Sequence, residues 1–508
     1  MTDDGQAEVL AFLAGGALGG RVERIDTHGA VILLAGERAW KMKRAVRFSF
    51  MDFSTLARRK ATLEAELALN RRTAPELYRR VVAVTREADG RLALGGSGEP
   101  VEWLLEMARF PQDAQLDRVA ARGELGPDLI EALAVEICRF HAEAEVRRDK
   151  GGYAAMRAVV EGNAGDLASL APAVFDAAAV AALNAATQRE LEARAHLLDQ
   201  RRADGRVRHC HGDLHLANIV LLERGPVLFD CLEFDEELAC IDVLYDLAFL
   251  VMDLIRRGLP AHARTLLQAY HDRAEDDAGL ALLPLFLSVR AAIRAKVAGF
   301  NAGVLGGEAR TAKVQEAGTY LALARKALEP VPPRLLVVAG RSGTGKSSVA
   351  KALAPAFGAM PGAMILRSDV IRKRLLGKEP TERLPPEAYT PEHSARVFAR
   401  IADRARVLLA AGRTVIADAV YGEAAQREAI EAVAKAAGVP FRPVWLEAAE
   451  PVLEARVGAR RGDASDADLA VVRAQARTMD PSAVLWPRVA AGRPLDEVAA
   501  DVRRIWES

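Results

Sequence analysis

The sequence predicts two folds in series: an α+β region with a β-rich lobe followed by a helical lobe, then an α/β region whose parallel sheet is flanked by helices. The chain of 508 residues has room for more than one domain, since domains average roughly 150 residues. Three prolines in Pro330-Val331-Pro332-Pro333 mark a boundary, because proline disfavours helix at its own position and at the one before it. Beyond it, strand and helix patterns alternate. We therefore expect domains at residues 1–329 and 330–508.

Composition places the protein among soluble globular chains. Hydrophobic residues make up 51% and charged residues 27%, values that exclude a disordered chain and a disulfide scaffold. The net charge of zero gives no indication of nucleic acid, a membrane or an acidic molecule as a partner. That zero is a cancellation, because residues 331–508 carry 27 Lys and Arg against 21 Asp and Glu, which leaves +6 there and −6 in residues 1–330.

The expected compartment is the cytoplasm. The four cysteines have no metal-ligand spacing and are too few for a disulfide framework, which indicates a reducing environment. The apolar stretch near the start follows acidic residues, unlike a secretory signal. No uncharged run reaches the roughly 18 residues that a membrane span needs. We expect a cytoplasmic protein without a membrane partner.

The first region begins with runs typical of strands and then becomes helical. Turns at Thr27-His28-Gly29 and Gly36-Glu37-Arg38 separate the first three strands. From about Asp117 to Leu198 the pattern is helical and rich in Ala and Leu. The expected strands are Val22–Ile25, Ala30–Leu34, Ala39–Lys43, Val81–Thr85 and Val101–Met107, and the expected helix between them is Leu56–Asn70.

The second region alternates strands with helices, the pattern of a parallel sheet with helices on both faces. The expected strands are Leu335–Ala339, Ala363–Arg367, Thr414–Asp418 and Arg442–Leu446. We therefore assign this region to the α/β class.

The first of these strands leads into a complete phosphate-binding loop. The loop, Gly340-Arg341-Ser342-Gly343-Thr344-Gly345-Lys346-Ser347, matches G-x-x-x-x-G-K-[ST] and precedes an expected helix, Ser347–Leu353. Its glycines let backbone N–H groups point into one concavity, while Lys346 reaches the β- and γ-phosphates and the Ser347 hydroxyl ligates Mg²⁺. The expected nucleotide contacts are Gly340, Arg341, Ser342, Gly343, Thr344, Gly345, Lys346, Ser347 and Ser348.

Two carboxylates follow other strands of the same sheet. Asp418 ends a strand, where an acidic side chain can hold the water shell of a metal. Asp369 follows the second strand, beside the phosphate loop, and can accept a proton from an acceptor hydroxyl, while Arg372 can hold an anionic group. Asp369 can also cap the helix Val370–Leu376, and the two roles are compatible.

An arginine-rich helix is expected at Pro451–Arg461. Arg456 and Arg460, on a mobile helical flap, suit the stabilisation of charge on a phosphoryl group in transfer. We therefore expect both arginines to be catalytic.

Residues 331–508 resemble the small P-loop kinases of the nucleoside-kinase-like group, which includes gluconate kinase, chloramphenicol phosphotransferase, zeta toxin and the kinase domain of polynucleotide kinase. The resemblance rests on the phosphate loop, the Ser-Asp-x-x-Arg sequence after the second strand and the arginine-rich lid. It implies that Asp369 is the acceptor-side base, Asp418 a metal or substrate contact and Arg427 a substrate clamp.

The first region carries a second phosphoryl-transfer pattern, His211-Gly212-Asp213-Leu214-His215-Leu216-Ala217-Asn218. A hairpin and an apolar strand ending in Asp230 follow. This order and spacing are the layout of a protein-kinase-like active site. In that layout Asp213 accepts the proton of the acceptor hydroxyl, and Asn218 and Asp230 hold Mg²⁺ against the phosphates.

Residues 20–330 resemble the aminoglycoside phosphotransferase and choline kinase superfamily, whose catalytic loop reads His-Gly-Asp-x-x-x-x-Asn. The resemblance implies a bilobal protein-kinase-like fold that uses ATP with Mg²⁺. It also implies that Asp242 and Asp246, at the start of an acidic helix, brace the catalytic loop.

The same resemblance places a nucleotide-binding lysine on the third strand, paired with a glutamate of the following helix. Lys41 and Lys43 both qualify, because residues two apart point to the same face of a strand. The glutamate is Glu66 or Glu64, and the sequence leaves both choices open.

One feature departs from the superfamily. Its phosphate-covering turn is often glycine-rich, whereas the turn here is Thr27-His28-Gly29, and the glycines at 15–20 lie too far upstream. Nucleotide binding in this half is therefore in question. We expect His211 to support the catalytic loop by hydrogen bonding and His215 to brace a neighbouring segment, since no third ligand sits at zinc-binding spacing.

The leading hypothesis is a bifunctional ATP-dependent phosphotransferase that acts on hydroxyl groups of small polar molecules. One alternative is a single P-loop kinase regulated by an N-terminal pseudokinase that senses a ligand. Another is a kinase of nucleic-acid ends, which the mixed charges and the lack of a basic patch with interleaved aromatics do not favour. The sequence does not identify the phosphate acceptor of either half or the oligomeric state.

Overall fold

A computed structural model describes residues 4–48, 51–459 and 464–508. The chain forms two compact units, Met1–Gly162 with Leu191–Asp253 and Asn163–Glu190 with Leu254–Ser508. The helices after residue 253 thus belong to the same compact unit as the P-loop region. The boundary at 329/330 stays a prediction, and the units follow packing instead of the order of the motifs.

The first unit begins with a helix and a β-rich lobe. Its elements are α1 (Asp4–Phe12), β1 (Val22–Asp26), β2 (Ala30–Ala35), β3 (Arg38–Lys43), β4 (Arg47–Phe48), β5 (Met51–Asp52), α2 (Leu56–Asn70), β6 (Tyr78–Arg86), β7 (Leu92–Leu94) and β8 (Glu99–Ala108). Six of these strands form an antiparallel sheet in the order β1-β2-β3-β8-β6-β7. The predicted β-rich lobe is confirmed, and α2 has the predicted bounds.

Apolar side chains cover both faces of this sheet. One cluster contains Leu63 of α2 with Tyr78 and Leu105 of the sheet. The other contains Trp40 and Met42 of β3 with the first helix. Because alternate residues of β3 face opposite sides, Lys41 and Lys43 lie on the side that faces α2.

The helical lobe contains the catalytic segment between short strands, and residues 163–190 of this stretch belong to the second unit. Its elements are α3 (Leu116–Ala121), α4 (Pro127–Glu143), α5 (Gly152–Leu170), α6 (Ala177–Ala193), α7 (Ala195–Ala203), β9 (Val207–His209), β10 (Ile219–Leu222), β11 (Gly225–Leu228), α8 (Glu236–Ala239), β12 (Cys240–Asp242) and α9 (Val243–Arg256). β10 pairs with β11 and β9 pairs with β12, both antiparallel.

The second unit continues with three long helices and a parallel sheet. Its elements are α10 (Pro260–Ala274), α11 (Leu283–Gly303), α12 (Gly307–Ala327), β13 (Leu335–Gly340), α13 (Lys346–Leu353), β14 (Met364–Arg367), α14 (Ser368–Leu375), α15 (Pro391–Ala410), β15 (Val415–Asp418), α16 (Ala424–Ala437), β16 (Phe441–Glu447), α17 (Glu450–Ala459), α18 (Leu469–Thr478), β17 (Arg488–Ala490) and α19 (Leu495–Glu507). The sheet order is β14-β15-β13-β16-β17, and all of its pairs are parallel. The predicted α/β class is confirmed.

Within the part of the chain that the structure describes, one helical stretch has the length and hydropathy of a membrane span. Ala278–Gly303 is 26 residues long with a mean hydropathy of 1.5, but 78% of its apolar window is buried inside the protein. A core helix of a soluble domain has the same properties. This stretch serves the packing of the second unit.

Candidate active sites

The catalytic loop of the first unit is held together by its own asparagine. The Asn218 side-chain amide donates to the main-chain oxygen of Asp213 at 3.0 Å and to its carboxylate at 2.9 Å. His215 Nε2 lies 3.3 Å from the same carboxylate, and its ring packs edge-on against Phe249. The two polar contacts fix the rotamer of the predicted base, and His215 braces Asp213 itself.

Asp246 of α9 anchors the start of this loop. Its carboxylate accepts hydrogen bonds from the backbone N–H groups of His211 at 3.1 Å and Gly212 at 2.9 Å. Gly212 has φ +81°, and a side chain there would place a carbon 2.9 Å from Leu232 Cβ. The predicted bracing role of Asp246 is confirmed, and glycine is required beside it.

His211 connects the loop to the segment that follows the hairpin. Its Nε2 lies 2.9 Å from the Phe229 main-chain oxygen, and its Nδ1 accepts from the Asp213 N–H at 3.4 Å. The ring therefore spans the loop and the residue before Asp230. Its predicted supporting role is confirmed.

Asp253 braces the loop as well, although the sequence analysis did not identify it. Its carboxylate accepts from the Leu216 N–H at 3.2 Å. Its place seven residues after Asp246 puts both carboxylates on one face of α9, and that spacing was the available signal. Asp242 instead forms a buried two-point pair with Arg201 at 2.7 and 2.8 Å and accepts from the Leu244 N–H. It stabilises the start of α9.

Cys210, His141 and Asp246 lie close enough together to suggest a buried metal site. The Asp246 oxygens are already used by two amides and by His141 at 3.1 Å. Burial raises the pKa of the Cys210 thiol well above its ordinary value, which opposes the thiolate that metals bind. The cluster is a structural brace.

Lys41, Glu66 and Asp230 form the centre of the predicted nucleotide site. Lys41 Nζ lies 2.6 Å from Glu66 Oε1 and 2.7 Å from Asp230 Oδ1. Burial alone would lower the pKa of Lys41, but Asp230, Glu66 and Glu233 together raise it well above its ordinary value. Lys41 therefore stays charged and joins the helix carboxylate to the predicted metal ligand, as the phosphate-binding lysine of a kinase does.

Lys43 occupies a different place on the same face. Its Nζ lies 2.7 Å from Glu66 Oε2 and 2.5 Å from Glu233 Oε1. Its side chain is almost fully buried, whereas that of Lys41 is 13% exposed. The geometry favours Lys41 as the nucleotide lysine and Glu66 as its partner, because Lys43 is enclosed between two carboxylates. Glu64 points outward, with 55% of its side chain exposed.

Asp230 has an unusual backbone conformation. Its φ is +62°, which is rare outside glycine and frequent at functional sites. The Tyr78 hydroxyl accepts a hydrogen bond from the Asp230 backbone N–H at 3.0 Å. Burial would raise the pKa of the Asp230 carboxyl, but Lys41 lowers it below its ordinary value. Asp230 is thus held ionised, and with the Asn218 side chain it offers the oxygen ligands that Mg²⁺ prefers.

The phosphate-covering turn of the first unit is closed by Thr27. Its hydroxyl donates to the Ala30 main-chain oxygen at 2.9 Å and accepts from the Ala30 N–H at 3.0 Å. An added side chain at Gly29 would approach the flexible end of Met51 at 3.1 Å. The turn is short and self-supporting, and glycine is not required there by backbone conformation.

The loop of the second unit has the glycine geometry that its motif predicts. Gly340, Gly343 and Gly345 have φ values of +141°, +88° and +89°. A side-chain carbon at Gly340 would lie 2.5 Å from the Leu446 carbonyl oxygen, and one at Gly343 would lie 2.8 Å from that of Leu453. Strand β16 and helix α17 therefore approach the loop too closely for any residue other than glycine at these two positions.

Ser347 and Asp418 meet at the metal position of this loop. The Ser347 hydroxyl donates to Asp418 Oδ2 at 2.5 Å. Arg367 Nε lies 3.6 Å from the same oxygen. β15 lies between β13 and β14, so Asp418 is the carboxylate on the strand next to the loop. A serine hydroxyl and a buried carboxylate are the donor set that a P-loop offers to Mg²⁺.

Asp369 lies at the second strand from the loop, not beside it as the sequence analysis expected. The cause is the strand order, because β14 pairs with β15 and not with β13. Asp369 is the second residue of α14 and lines the same cavity as the loop. The N-cap position belongs to Arg367, so the predicted capping role of Asp369 is wrong. Burial raises the pKa of its carboxyl, an effect that Asp418 reinforces and that Arg367 and Lys346 oppose. A carboxyl with a raised pKa suits a proton acceptor.

The cavity has a volume of about 1090 Å³ and runs from the phosphate loop to α15 and the lid helices. Lys346 Nζ lies 3.1 Å from the Arg341 carbonyl oxygen. Arg456 reaches the Thr344 carbonyl oxygen at 3.4 Å. The members of the predicted set that line the cavity are Ser342, Gly343, Thr344, Gly345, Lys346, Ser347, Ser348, Asp369, Asp418 and Arg456.

Gln475 of α18 is a contact that the sequence analysis missed. Its Oε1 accepts the Ser342 N–H at 2.8 Å, and its Nε2 donates to the Ser342 hydroxyl at 3.2 Å. It thereby occupies a backbone amide of the phosphate-binding loop. No local pattern in the sequence marks a lid glutamine for this contact.

Three predicted arginines have different outcomes. Arg372 lines the cavity, stacks on Tyr389 at 4.8 Å and donates to the Ala388 carbonyl oxygen. Arg427 donates to the carbonyl oxygens of Tyr421, Gly422 and Ala483, so it braces the backbone and its assignment as a substrate clamp is not supported. Arg460 lies outside the described residues.

Comparisons with known proteins match both regions of the chain. A family model described as the phosphotransferase enzyme family matches residues 29–283, and one described as an AAA domain matches residues 335–482. An uncharacterized protein of Mycobacterium tuberculosis is 29% identical over 500 residues, 95% of each chain.

Two solved structures are similar to parts of the chain. A gluconokinase from Sinorhizobium meliloti is 24% identical over 35% of this chain and 96% of its own, with a TM-score of 0.26. A choline/ethanolamine kinase family protein from Mesorhizobium loti is 13% identical over 63% of this chain and 99% of its own, with a TM-score of 0.36. The match to residues 29–283 spans half of the chain, so this protein belongs to the phosphotransferase enzyme family and carries a P-loop kinase domain after the family's region.

Proposed function

We propose that the protein is a bifunctional kinase in which each site transfers the γ-phosphoryl group of ATP to a hydroxyl of a small polar molecule. Both kinase-type domains imply ATP and a divalent metal, for which Mg²⁺ is the proposed ion. The bound metal would neutralise phosphate charge in each site. The acceptor in each case is a small molecule and not nucleic acid.

In the first unit, the proposal assigns a role to each side chain of the site. Lys41 binds phosphate oxygens, and Glu66 keeps it extended. Asp213 accepts the proton of the acceptor hydroxyl, while Asn218 and His215 hold its carboxylate in place. Asn218 and Asp230 would hold the metal.

In the second unit, the backbone amides of the loop and Lys346 bind the phosphates. Asp369 accepts the proton of the hydroxyl, and Arg456 stabilises charge on the group in transfer. Ser347 and Asp418 would hold the metal. The cavity that contains both Lys346 and Asp369 supports this assignment.

The observation that carries the bifunctional proposal is the pairing of Lys41 with both Glu66 and Asp230. The charged lysine lies 2.6 Å from a helix carboxylate and 2.7 Å from the proposed metal ligand, an arrangement that holds a cation where phosphate oxygens would bind. The first unit thus has the parts of a working kinase.

Labelled ATP and a metabolite library test this proposal in the full chain. Asp213→Ala should abolish phosphorylation of one acceptor and Lys346→Ala that of another. Asp204→Ala and Lys351→Ala, at exposed positions, are the matched controls and should change neither. The proposal fails if both active-site variants leave all phosphorylation unchanged.

The short phosphate-covering turn favours one other function, in which the first unit senses a ligand and regulates the P-loop kinase. Calorimetric titration of Mg·ATP into full-length Lys346→Ala distinguishes the two. A folded protein that shows no remaining nucleotide binding supports the sensor, whereas binding that Lys41→Met removes supports the second kinase.

A further inference from the structure

Strand β14 is the edge of the parallel sheet, and a side chain of α10 completes its hydrogen bonding. Gln268 Oε1 accepts the Ile365 N–H at 2.8 Å, and Gln268 Nε2 donates to the Ile365 carbonyl oxygen at 3.0 Å. On the other side β14 pairs with β15. A side-chain amide has the same donor and acceptor as a peptide group, so Gln268 replaces one residue of a missing neighbouring strand.

The orientation of this amide is fixed by two charged neighbours. Asp272 Oδ1 accepts a hydrogen bond from Gln268 Nε2 at 2.8 Å, and an ionised carboxylate can only accept hydrogen bonds. Arg264 Nη1 donates to Gln268 Oε1 at 3.4 Å, and a guanidinium group can only donate hydrogen bonds. Both contacts require the orientation that pairs with Ile365. The Arg374 side chain, from α14, also donates to the Asp272 carbonyl oxygen at 3.0 Å.

A buried ion cluster holds the end of α10 to α15. Arg404 lies 3.0 Å from both carboxylate oxygens of Asp277, and His271 Nε2 lies 2.6 Å from Asp277 Oδ1. All three side chains are more than nine-tenths buried. α15 contributes Ser394 and Phe398 to the wall of the P-loop cavity. α10 is therefore fixed to the acceptor side of the site at two points.

The first of these points lies close to the predicted base. Ile365 is four residues before Asp369, and β14 passes directly into α14 at Ser368. The backbone between them has no loop that could absorb a shift. A displacement of Ile365 would thus be passed on to the Asp369 carboxylate, and catalysis is sensitive to displacements of about 1 Å.

We propose that Gln268 is a positioning residue for Asp369, and that α10, which lies within the phosphotransferase-family region, is a working part of the P-loop kinase. The inference rests on the proposed function of the P-loop site. Residues 254–282 contain neither the catalytic loop nor the phosphate loop, and the proposal gives them a role in the chemistry of the P-loop kinase.

Hydrolysis of Mg·ATP tests it in the full chain, with Asp213→Ala present to silence the first unit. Water replaces the acceptor hydroxyl: its oxygen bonds to the γ-phosphorus, its proton passes to Asp369, and ADP leaves. Gln268→Leu should lower kcat about tenfold, with KM for ATP within about twofold of the parent, since ATP binds the loop after β13. The matched control is Gln315→Leu on the exposed face of α12.

Hydrogen exchange supplies a readout that does not depend on activity. Backbone amides of residues 364–369 should exchange faster in Gln268→Leu and not in Gln315→Leu. Faster exchange with an unchanged kcat would overturn the positioning role, and unchanged exchange would overturn the contact itself. If Lys346→Ala abolishes hydrolysis but Asp369→Asn does not, positioning of a base is also overturned. Hydrolysis that survives Lys346→Ala would instead refute the proposed function of this site.

Discussion

The two phosphate-handling sites of this protein are built in opposite ways. In the first unit, the site is an ion-pair network in which Lys41, Glu66 and Asp230 come from three segments far apart in the chain. In the second, it is one contiguous loop in which Gly340 and Gly343 have positive φ and whose residues 342–347 line the cavity. One site therefore depends on charge balance and the other on backbone conformation. Substitutions should therefore harm them by different routes.

The largest expected effect is on stability, from Glu66→Ala. This change leaves Lys41 and Lys43 buried without their shared carboxylate, and loss of one partner of a buried ion pair costs about 3–5 kcal/mol of unfolding free energy. Asp369→Ala should cost less than about 1 kcal/mol, because burial already disfavours the charged form of Asp369. Chemical denaturation measures both. Glu64→Ala, exposed on the same helix, is the control, and equal losses at Glu64 and Glu66 would contradict the network.

Glycine substitutions should separate the two phosphate turns. Gly343→Ala should weaken ATP binding by the second unit about a hundredfold. Gly343 has a positive φ, and the new carbon would lie 2.8 Å from the Leu453 carbonyl oxygen. Gly29→Ala should change binding by the first unit less than about threefold, since Met51 can move away. Each is measured by nucleotide titration with the other site silenced. A stronger effect at Gly29 would mean that the short turn closes tightly over phosphate.

The two lysines of β3 should differ in kinetic effect. Lys41→Met should lower kcat/KM of the first unit about a hundredfold, because it removes the charge that binds phosphate. Lys43→Met should lower it less than about tenfold per folded molecule, since Lys43 is enclosed by Glu66 and Glu233. Activity normalised to folded protein checks this, and the reverse order would assign the nucleotide to Lys43.

The smallest expected effect concerns the lid of the second unit. Gln475→Ala should tighten ADP binding there about threefold, the worth of one net hydrogen bond, because the Ser342 amide no longer has a competitor. Arg477→Ala, exposed on the same helix, is the control. Weaker binding in Gln475→Ala would show that the glutamine contacts the nucleotide instead of competing with it.

Much of the fold was predictable because its signals are local. Helix Leu56–Asn70 has the predicted bounds, and strands β2 and β3 each differ from the predicted bounds by one residue at one end, since apolar periodicity and turn residues both point to the same limits. The P-loop was predictable for the same reason. The short strand β17 was missed, because three residues leave no periodic pattern.

The parts of the sites that were missed depend on contacts between distant residues. Gln268 and Ile365 are 97 positions apart, and nothing around either residue marks the pairing. The choice between Lys41 and Lys43 likewise required the position of Glu233, which decides which lysine is enclosed. The grouping of residues 254–329 with the P-loop sheet follows from packing, to which a proline-rich boundary gives no guide.

The pairing of Gln268 with β14 also bears on solubility. An uncovered edge strand offers a row of amides and carbonyls to which strands of other molecules can add. Here one edge of the five-stranded sheet is covered by α10, and the other ends in the three-residue strand β17, which is too short to template growth. A P-loop fragment that starts after the proline-rich segment would lose that cover. We expect this fragment to self-associate in size-exclusion chromatography, while the full chain, which keeps α10, stays monodisperse.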